Sequence, residues 1–140
     1  MNRRQLIAAG AAAAAVVLTE SVAAAATKES TAVVDACYAC MKTGELCLAM
    51  CNDMIGKGMT GLADCQKRVS DMLTTCEAVG TLVARNTAPA ARVKAMAALC
   101  ADTCRDCERA CRPNVSMAEC KTCMEDAAKC ARACDAYAKG

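Results

Sequence analysis

The stretch Cys100-Ala-Asp-Thr-Cys104-Arg-Asp-Cys107-Glu-Arg-Ala-Cys111 sets four cysteines at steps of four, three and four residues. At about 100° per residue, a helix brings all four sulfurs within about 60° of one another. Asp102, Arg105, Asp106, Glu108 and Arg109 take the other faces. A stripe chosen for packing alone is normally Leu, Ile, Val or Phe. A stripe of thiols offers soft metal ligands, disulfide partners or nucleophiles instead.

Two further runs repeat the pattern. Cys37, Cys40, Cys47 and Cys51, and again Cys120, Cys123, Cys130 and Cys134, both read C-x2-C-x6-C-x3-C, with Met41 and Met124 each following the second cysteine. On a helix each set shares one face within about 80°. Gly44 and Ala127 occupy matching inward positions between the second and third cysteines. Cys65 and Cys76 stand eleven residues apart, about 20° on a helix, and Val69, Met72 and Val83 complete that face. All fourteen cysteines can therefore point to one axis.

The elements that would carry these stripes are marked by breakers at three places: Gly56-Lys57-Gly58, Arg85-Asn86-Thr87 with Pro89, and Arg112-Pro113-Asn114. The stretches between them run to about 22 to 24 residues, roughly 33–36 Å as helices. Gly56 is placed to close the first. Thr60 and Asp64 open the second, and Pro89 suits the first turn of the third. Ser116-Met-Ala-Glu119 reads as a capping box for the fourth. Strand alternation and β-branched runs are lacking. Four near-equal helices with short loops predict an all-α, antiparallel up-down-up-down four-helix bundle with cysteines lining its core.

The chain of 140 residues suits one domain, and its N-terminus reads as a leader. Arg3-Arg4-Gln5-Leu6-Ile7 precedes a weakly hydrophobic Ala-rich stretch to Leu18, and Ala23 to Ala26 supply small residues for cleavage. Leu6 to Leu18 is too short to span a bilayer, and Glu20 breaks the apolar run beyond it. The expectation is a cleaved twin-arginine signal peptide over residues 1–26 and a helical domain over residues 27–140. That places the protein outside the bacterial cytoplasm, in the periplasm or an internal-membrane lumen. A twin-arginine route carries proteins already folded, often with metal loaded. Without Arg3, Arg4 and Glu20, 15 basic residues face 14 acidic ones, which suggests neither nucleic acid nor an anionic membrane as partner. Histidine is absent, removing His-based catalysis and the commonest zinc partner of cysteine.

Four chemistries compete for the thiols. Structural disulfides suit an exported chain with an even count, and give a disulfide-stapled helical interaction module of the cell envelope as the alternative function. Spacings of three and four on one stripe, however, waste cysteines as staples, and a domain of this size can fold without them. Iron–sulfur ligand runs are compact loops ending in proline, which this sequence lacks. A redox enzyme needs one or two exposed reactive thiols rather than a lined core. Thiolates select Cu(I), which has no need of histidine. The i, i+4 pairs Cys47/Cys51, Cys100/Cys104, Cys107/Cys111 and Cys130/Cys134 can each grip one ion, and the other cysteines can bridge helices. Bare thiolates on an apolar axis are prohibitive, so the metal-free core must hold neutral thiols, and each Cu(I) can displace one proton. Zinc would need groups of four sulfurs, at most about three sites.

The leader, the four short-looped helices and the C-x3-C pairs resemble the bacterial copper storage proteins, in their exported twin-arginine branch. The likeness runs from about Ala32 to Tyr137, and its carriers are the fourteen cysteines. It implies multiple Cu(I) ions per chain, supply to copper enzymes and copper buffering, exchange with enzymes or chaperones, a homotetramer of bundles, and no catalytic activity. The lack of histidine departs from members that place it near the metal entrance. A copper chaperone fits less well, because chaperones expose one or two cysteines. Met54, Met59 and Met117 would gather at the end holding the 56–60 and 112–116 loops, where soft thioethers could admit Cu(I). Val33, Leu82, Val83, Val93 and Tyr137 would plug the other end. Met72 and Met96 read as packing residues, and Lys67, Arg68, Arg105 and Glu125 as solvated faces.

Overall fold

The computed structural model describes residues 27–140; the leader lies outside them. Four helices make up nearly all of it: α1 Lys28–Gly56, α2 Ala63–Arg85, α3 Ala90–Cys111 and α4 Ala118–Lys139. Short 3-10 turns at Thr60–Leu62 and Arg112–Asn114 lie before α2 and after α3. Each helix packs on its neighbour in sequence, and α4 returns to α1 to close the ring. The short loops make the order up-down-up-down, so the bundle is antiparallel. Among the described residues no helix is long and apolar enough to cross a membrane.

The helices are not all of one length. α1 runs to 29 residues against 23 for α2 and 22 each for α3 and α4. The reason is a start signal at its N-terminus. Thr27 Oγ1 accepts the Ser30 backbone N–H at 3.0 Å, and Ser30 Oγ accepts the Thr27 N–H at 2.7 Å. This reciprocal cap, with serine where Glu or Gln is usual, starts α1 two turns before Cys37.

The other ends correct the expected signals by one or two residues. Gly56 is the last residue of α1, Lys57 caps it, and Gly58 makes the left-handed turn at φ 95°. A side chain would be strained there. Asn86, also left-handed at φ 51°, closes α2 and donates its N–H to Leu82 O at 3.0 Å. Pro89 is the cap residue of α3 rather than a member of its first turn, and its carbonyl accepts the N–H groups of Arg92 and Val93. The Ser116/Glu119 capping box does not form. Met117 takes the cap position of α4, so Glu119 falls at the second helical residue, one short of the reach a capping box needs. The turn is held instead by the Met117 N–H donating to Asn114 O at 3.0 Å.

The core is thin in large side chains. Of 26 buried apolar residues, fourteen are cysteines, and Leu62 and Met72 are the largest fully buried ones. No charged or polar side chain is buried among the described residues. α2 contributes Val69, Met72 and Val83 as the helical pattern predicts, together with Val79 and Gly80. Gly80 is a close approach: a Cβ there would stand 3.0 Å from the Cys37 Cβ of α1. Lys67, Arg68 and Glu125 are exposed. Arg105 is not simply solvated, because its guanidinium binds Asp102 on its own helix and Asp135 on α4, each at 2.7 Å.

Candidate metal centre

All fourteen cysteine sulfurs lie inside the bundle, every one is free, and none of these residues is more than 1% exposed. The helical period explains the inward aim: steps of three, four, seven and eleven residues return each thiol to the face turned on the axis. The antiparallel packing then interleaves the four stripes.

The sulfurs form two networks of seven. In the first, Cys76 of α2 lies 3.7 Å from Cys100, 3.8 Å from Cys104 and 3.8 Å from Cys130. Cys130 also touches Cys37 at 3.8 Å and Cys134 at 3.9 Å. These seven include two sets of four whose sulfurs lie within 4.8 Å of one another: Cys37, Cys100, Cys130 and Cys134, and Cys40, Cys76, Cys104 and Cys130. The second set takes one sulfur from each helix.

The second network lies toward the end carrying the 3-10 turns. Cys65 and Cys111 approach to 3.3 Å, Cys47 and Cys65 to 3.9 Å, and Cys47 and Cys120 to 3.8 Å. Cys107 touches Cys111 at 3.9 Å and Cys123 at 3.7 Å. Within it, Cys47, Cys51, Cys65 and Cys120 gather within 4.8 Å, as do Cys47, Cys111 and Cys123. None of these contacts joins one network to the other. Cys130 and Cys47 are the shared members, so each network offers only one independent set of four. Tetrahedral zinc, which needs four sulfurs of its own, would find two such sets per chain rather than three.

Of the expected i, i+4 pairs, Cys107/Cys111 and Cys130/Cys134 are in contact, and Cys47/Cys51 share one set. Cys100 and Cys104 fall into different sets, with Cys76 from the neighbouring helix touching both. Contacts between helices therefore matter more than the sequence spacing suggests.

Protonation follows the contacts. A thiol that donates its S–H in an apolar core holds its proton, and one that accepts ionises more easily. Cys104 is raised by its contacts with Cys100 and Cys130 above all, with burial adding to them. Cys65 is raised through Cys111 and Cys47, and Cys120 chiefly by burial. Cys40 and Cys100 are lowered, Cys104 being the main cause for both, and Cys111 is lowered through Cys107. With no buried cation to balance thiolates, a metal-free core is held together by neutral thiols packing as small hydrophobes.

The methionines divide. Met54 and Met117 are half-buried against the core beside the Cys47–Cys51–Cys65–Cys120 set, one turn beyond Cys51 and one before Cys120. Met59 is 42% exposed at the same end, tied to it by its N–H donating to Met54 O at 3.0 Å. At the opposite end Val33, Val83 and Val93 are buried and Leu82 and Tyr137 partly so. Leu82, Val83, Val93 and Tyr137 line a recess of about 480 Å³ there rather than a flush plug. Met96 packs against the core as expected. Met72 is different: the Cys40 thiol donates to its Sδ at 3.7 Å. Sequence reasoning missed that contact and the division into two networks. The signal for the division was present in the vacant inward positions at Gly44 and Ala127.

A fully buried, histidine-free set of thiols, grouped in threes and fours without a buried counter-charge, is the donor chemistry of a soft monovalent metal. No individual curated protein matches the sequence. The family model for copper storage proteins matches residues 26–139, nearly the whole of the described chain, and the protein is a member of the copper storage protein family.

Proposed function

We propose that the protein stores Cu(I), many ions per chain, on its fourteen cysteine thiolates, and supplies them to copper enzymes while buffering free copper. The observation that carries this reading is the burial of all fourteen sulfurs in two continuous networks. A delivery protein needs an accessible site, and an enzyme needs a reactive one. Capacity is what a lined core provides.

The chemistry follows from the charge balance. Each Cu(I) that displaces one thiol proton leaves the local charge unchanged, so filling need not stop at a few ions. A divalent ion on four thiolates would leave a net charge of about −2 in a core without a buried cation. Thiolates shared between ions, as Cys130 and Cys47 are placed to be shared, raise the capacity from about seven isolated pairs toward about fourteen. Met54, Met59 and Met117 form the entrance, passing Cu(I) through thioethers to the Cys47 end. The chain acts outside the cytoplasm after loss of residues 1–26, as a homotetramer and without catalysis. The leader's paired arginines and the family's storage role support that part of the reading.

The test is a parallel anaerobic titration of reduced protein with Cu(I) and with zinc. Zinc should stop near two ions and Cu(I) should continue to about fourteen. Equal plateaus at two or three would mean that discrete four-sulfur sites, not a shared thiolate network, describe the protein.

A further inference from the structure

Between the two thiol networks lies a layer with few cysteines. In α1 the seven-residue step from Cys40 to Cys47 leaves about 10.5 Å of axis holding Gly44. In α4 the same step from Cys123 to Cys130 holds Ala127, and in α2 the step from Cys65 to Cys76, about 16.5 Å, holds Val69 and Met72. Only α3 runs through with a short step, from Cys104 to Cys107. Copper entering at the Cys47 end must cross this layer to fill the far network.

Met72 stands in it. Its side chain is fully buried, and its Sδ lies 3.7 Å from the Cys40 sulfur. Its methyl group occupies the space that Gly44 leaves open: a Cβ on Gly44 would come within 2.8 Å of the Met72 Cε. Gly44 lies one turn from Cys40 toward Cys47, so the thioether reaches along α1 into the gap. Leu73 shares that space, its Cδ2 standing 2.9 Å from the same position, so Gly44 admits both side chains, and the contact of thioether with thiol is what sets Met72 apart. Met72 is a buried core residue as the sequence reading expects, and the contact with Cys40 is added to that packing.

We propose that Met72 Sδ is a copper ligand, pairing with the Cys40 thiolate in a mixed site that joins the two seven-thiol networks. The inference rests on the storage reading and adds to it a specific ligand and a route. A thioether suits the crossing because it is soft, neutral and not protonated, so an ion can bind it without displacing a proton and leave it as readily. Cys40 belongs to the far network through its set with Cys76, Cys104 and Cys130. An ion held by Cys40 and Met72 is thus already at the edge of that network.

The experiment uses selenomethionine-labelled, Cu(I)-saturated protein and X-ray absorption at the selenium edge, comparing the unaltered chain, Met72→Leu, and the Met54→Leu/Met59→Leu/Met117→Leu variant. Copper–selenium scattering should persist in the triple variant and fall by at least half in Met72→Leu. A Met72→Leu spectrum equal to that of the unaltered chain overturns the proposal. Leucine conserves the volume, so folding should survive. If it does not, a labelled chain with Leu at every other methionine after residue 27 replaces it: scattering there supports the proposal and its absence refutes it. Stopped-flow loading gives the second readout, with the later half of the uptake slowed about tenfold in Met72→Leu and the final count nearly unchanged. Unaltered chain that takes up no Cu(I) would sink the storage reading, whereas normal uptake with unchanged spectra and rates would sink only Met72.

Discussion

Raising the pH of the reduced, metal-free protein should unfold it sharply, and the structure sets both sign and scale. Ten of the fourteen thiols are raised above the ordinary value of 9.0, through contacts with other thiols or, at Cys120, chiefly through burial. Above 9.0 the unfolded chain has released those protons while the folded core still holds them. The folded state then binds more protons, so stability is fully present below that pH and is lost as pH rises above it. Each such thiol removes about 1.4 kcal/mol per pH unit. Cys40, Cys100 and Cys111 are lowered by contacts with neighbouring thiols instead and are left out of the sum. Ten thiols together remove on the order of 10 kcal/mol per pH unit, against a typical domain stability of about 5–15 kcal/mol. The fold should therefore collapse within about one to two units above 9.0. The assay is far-ultraviolet circular dichroism alongside thiolate absorbance, followed anaerobically in one titration. Helix should be lost together with the appearance of thiolate, and the Cu(I)-loaded protein should not show the transition. Thiolate appearing well before any loss of helix would refute the reasoning, because the core would then tolerate its own ionisation.

Other outcomes rest on single contacts. Cys130 touches three sulfurs and belongs to two sets, whereas Cys51 belongs to one. Cys130→Ser should thus lower Cu(I) capacity by up to about three ions and Cys51→Ser by about one; equal losses in matched titrations would deny the sharing of thiolates. Replacing Met54, Met59 and Met117 together by Leu should slow the first phase of loading and leave capacity and acid release unchanged, because thioethers do not titrate. Equal rates in stopped flow would return them to packing. Gly80→Ala drives a Cβ to 3.0 Å from the Cys37 Cβ, and overpacking of about 1–3 kcal/mol outweighs roughly 1 kcal/mol of helix propensity. A fall of a few degrees in the melting temperature is expected, and a rise would show that α1 and α2 part at no cost.

The direction of every cysteine could be read from the sequence, because helical period alone decides which residues share a face. The stripes at Cys37–Cys51, Cys100–Cys111 and Cys120–Cys134 carry that period without interruption, and their thiols are all buried. Axial register between helices is another matter. That Cys65 meets Cys111 at 3.3 Å, or that Cys76 lies between Cys100 and Cys104, depends on loop geometry and interdigitation, which no single stripe encodes. Helix ends escape the sequence for a related reason. The residues of a capping box stand at Ser116 and Glu119, but the 3-10 turn at Arg112–Asn114 moves the cap to Met117. The working cap at Thr27 uses Ser30 in place of an acidic partner. Arg105 looks like one more surface charge until the packing of α3 on α4 brings Asp135 to it.

The central claim is that the two buried networks act as one store of Cu(I), and an ion count against a thiol count tests it most directly. Protein purified without reductant is assayed for free thiols, reduced, saturated with Cu(I) anaerobically, and weighed by native mass spectrometry. The account predicts fourteen titratable thiols per chain and a bound population centred near fourteen copper ions, about one for each thiolate. Few free thiols before reduction, or a population ending at two or three ions, would contradict it.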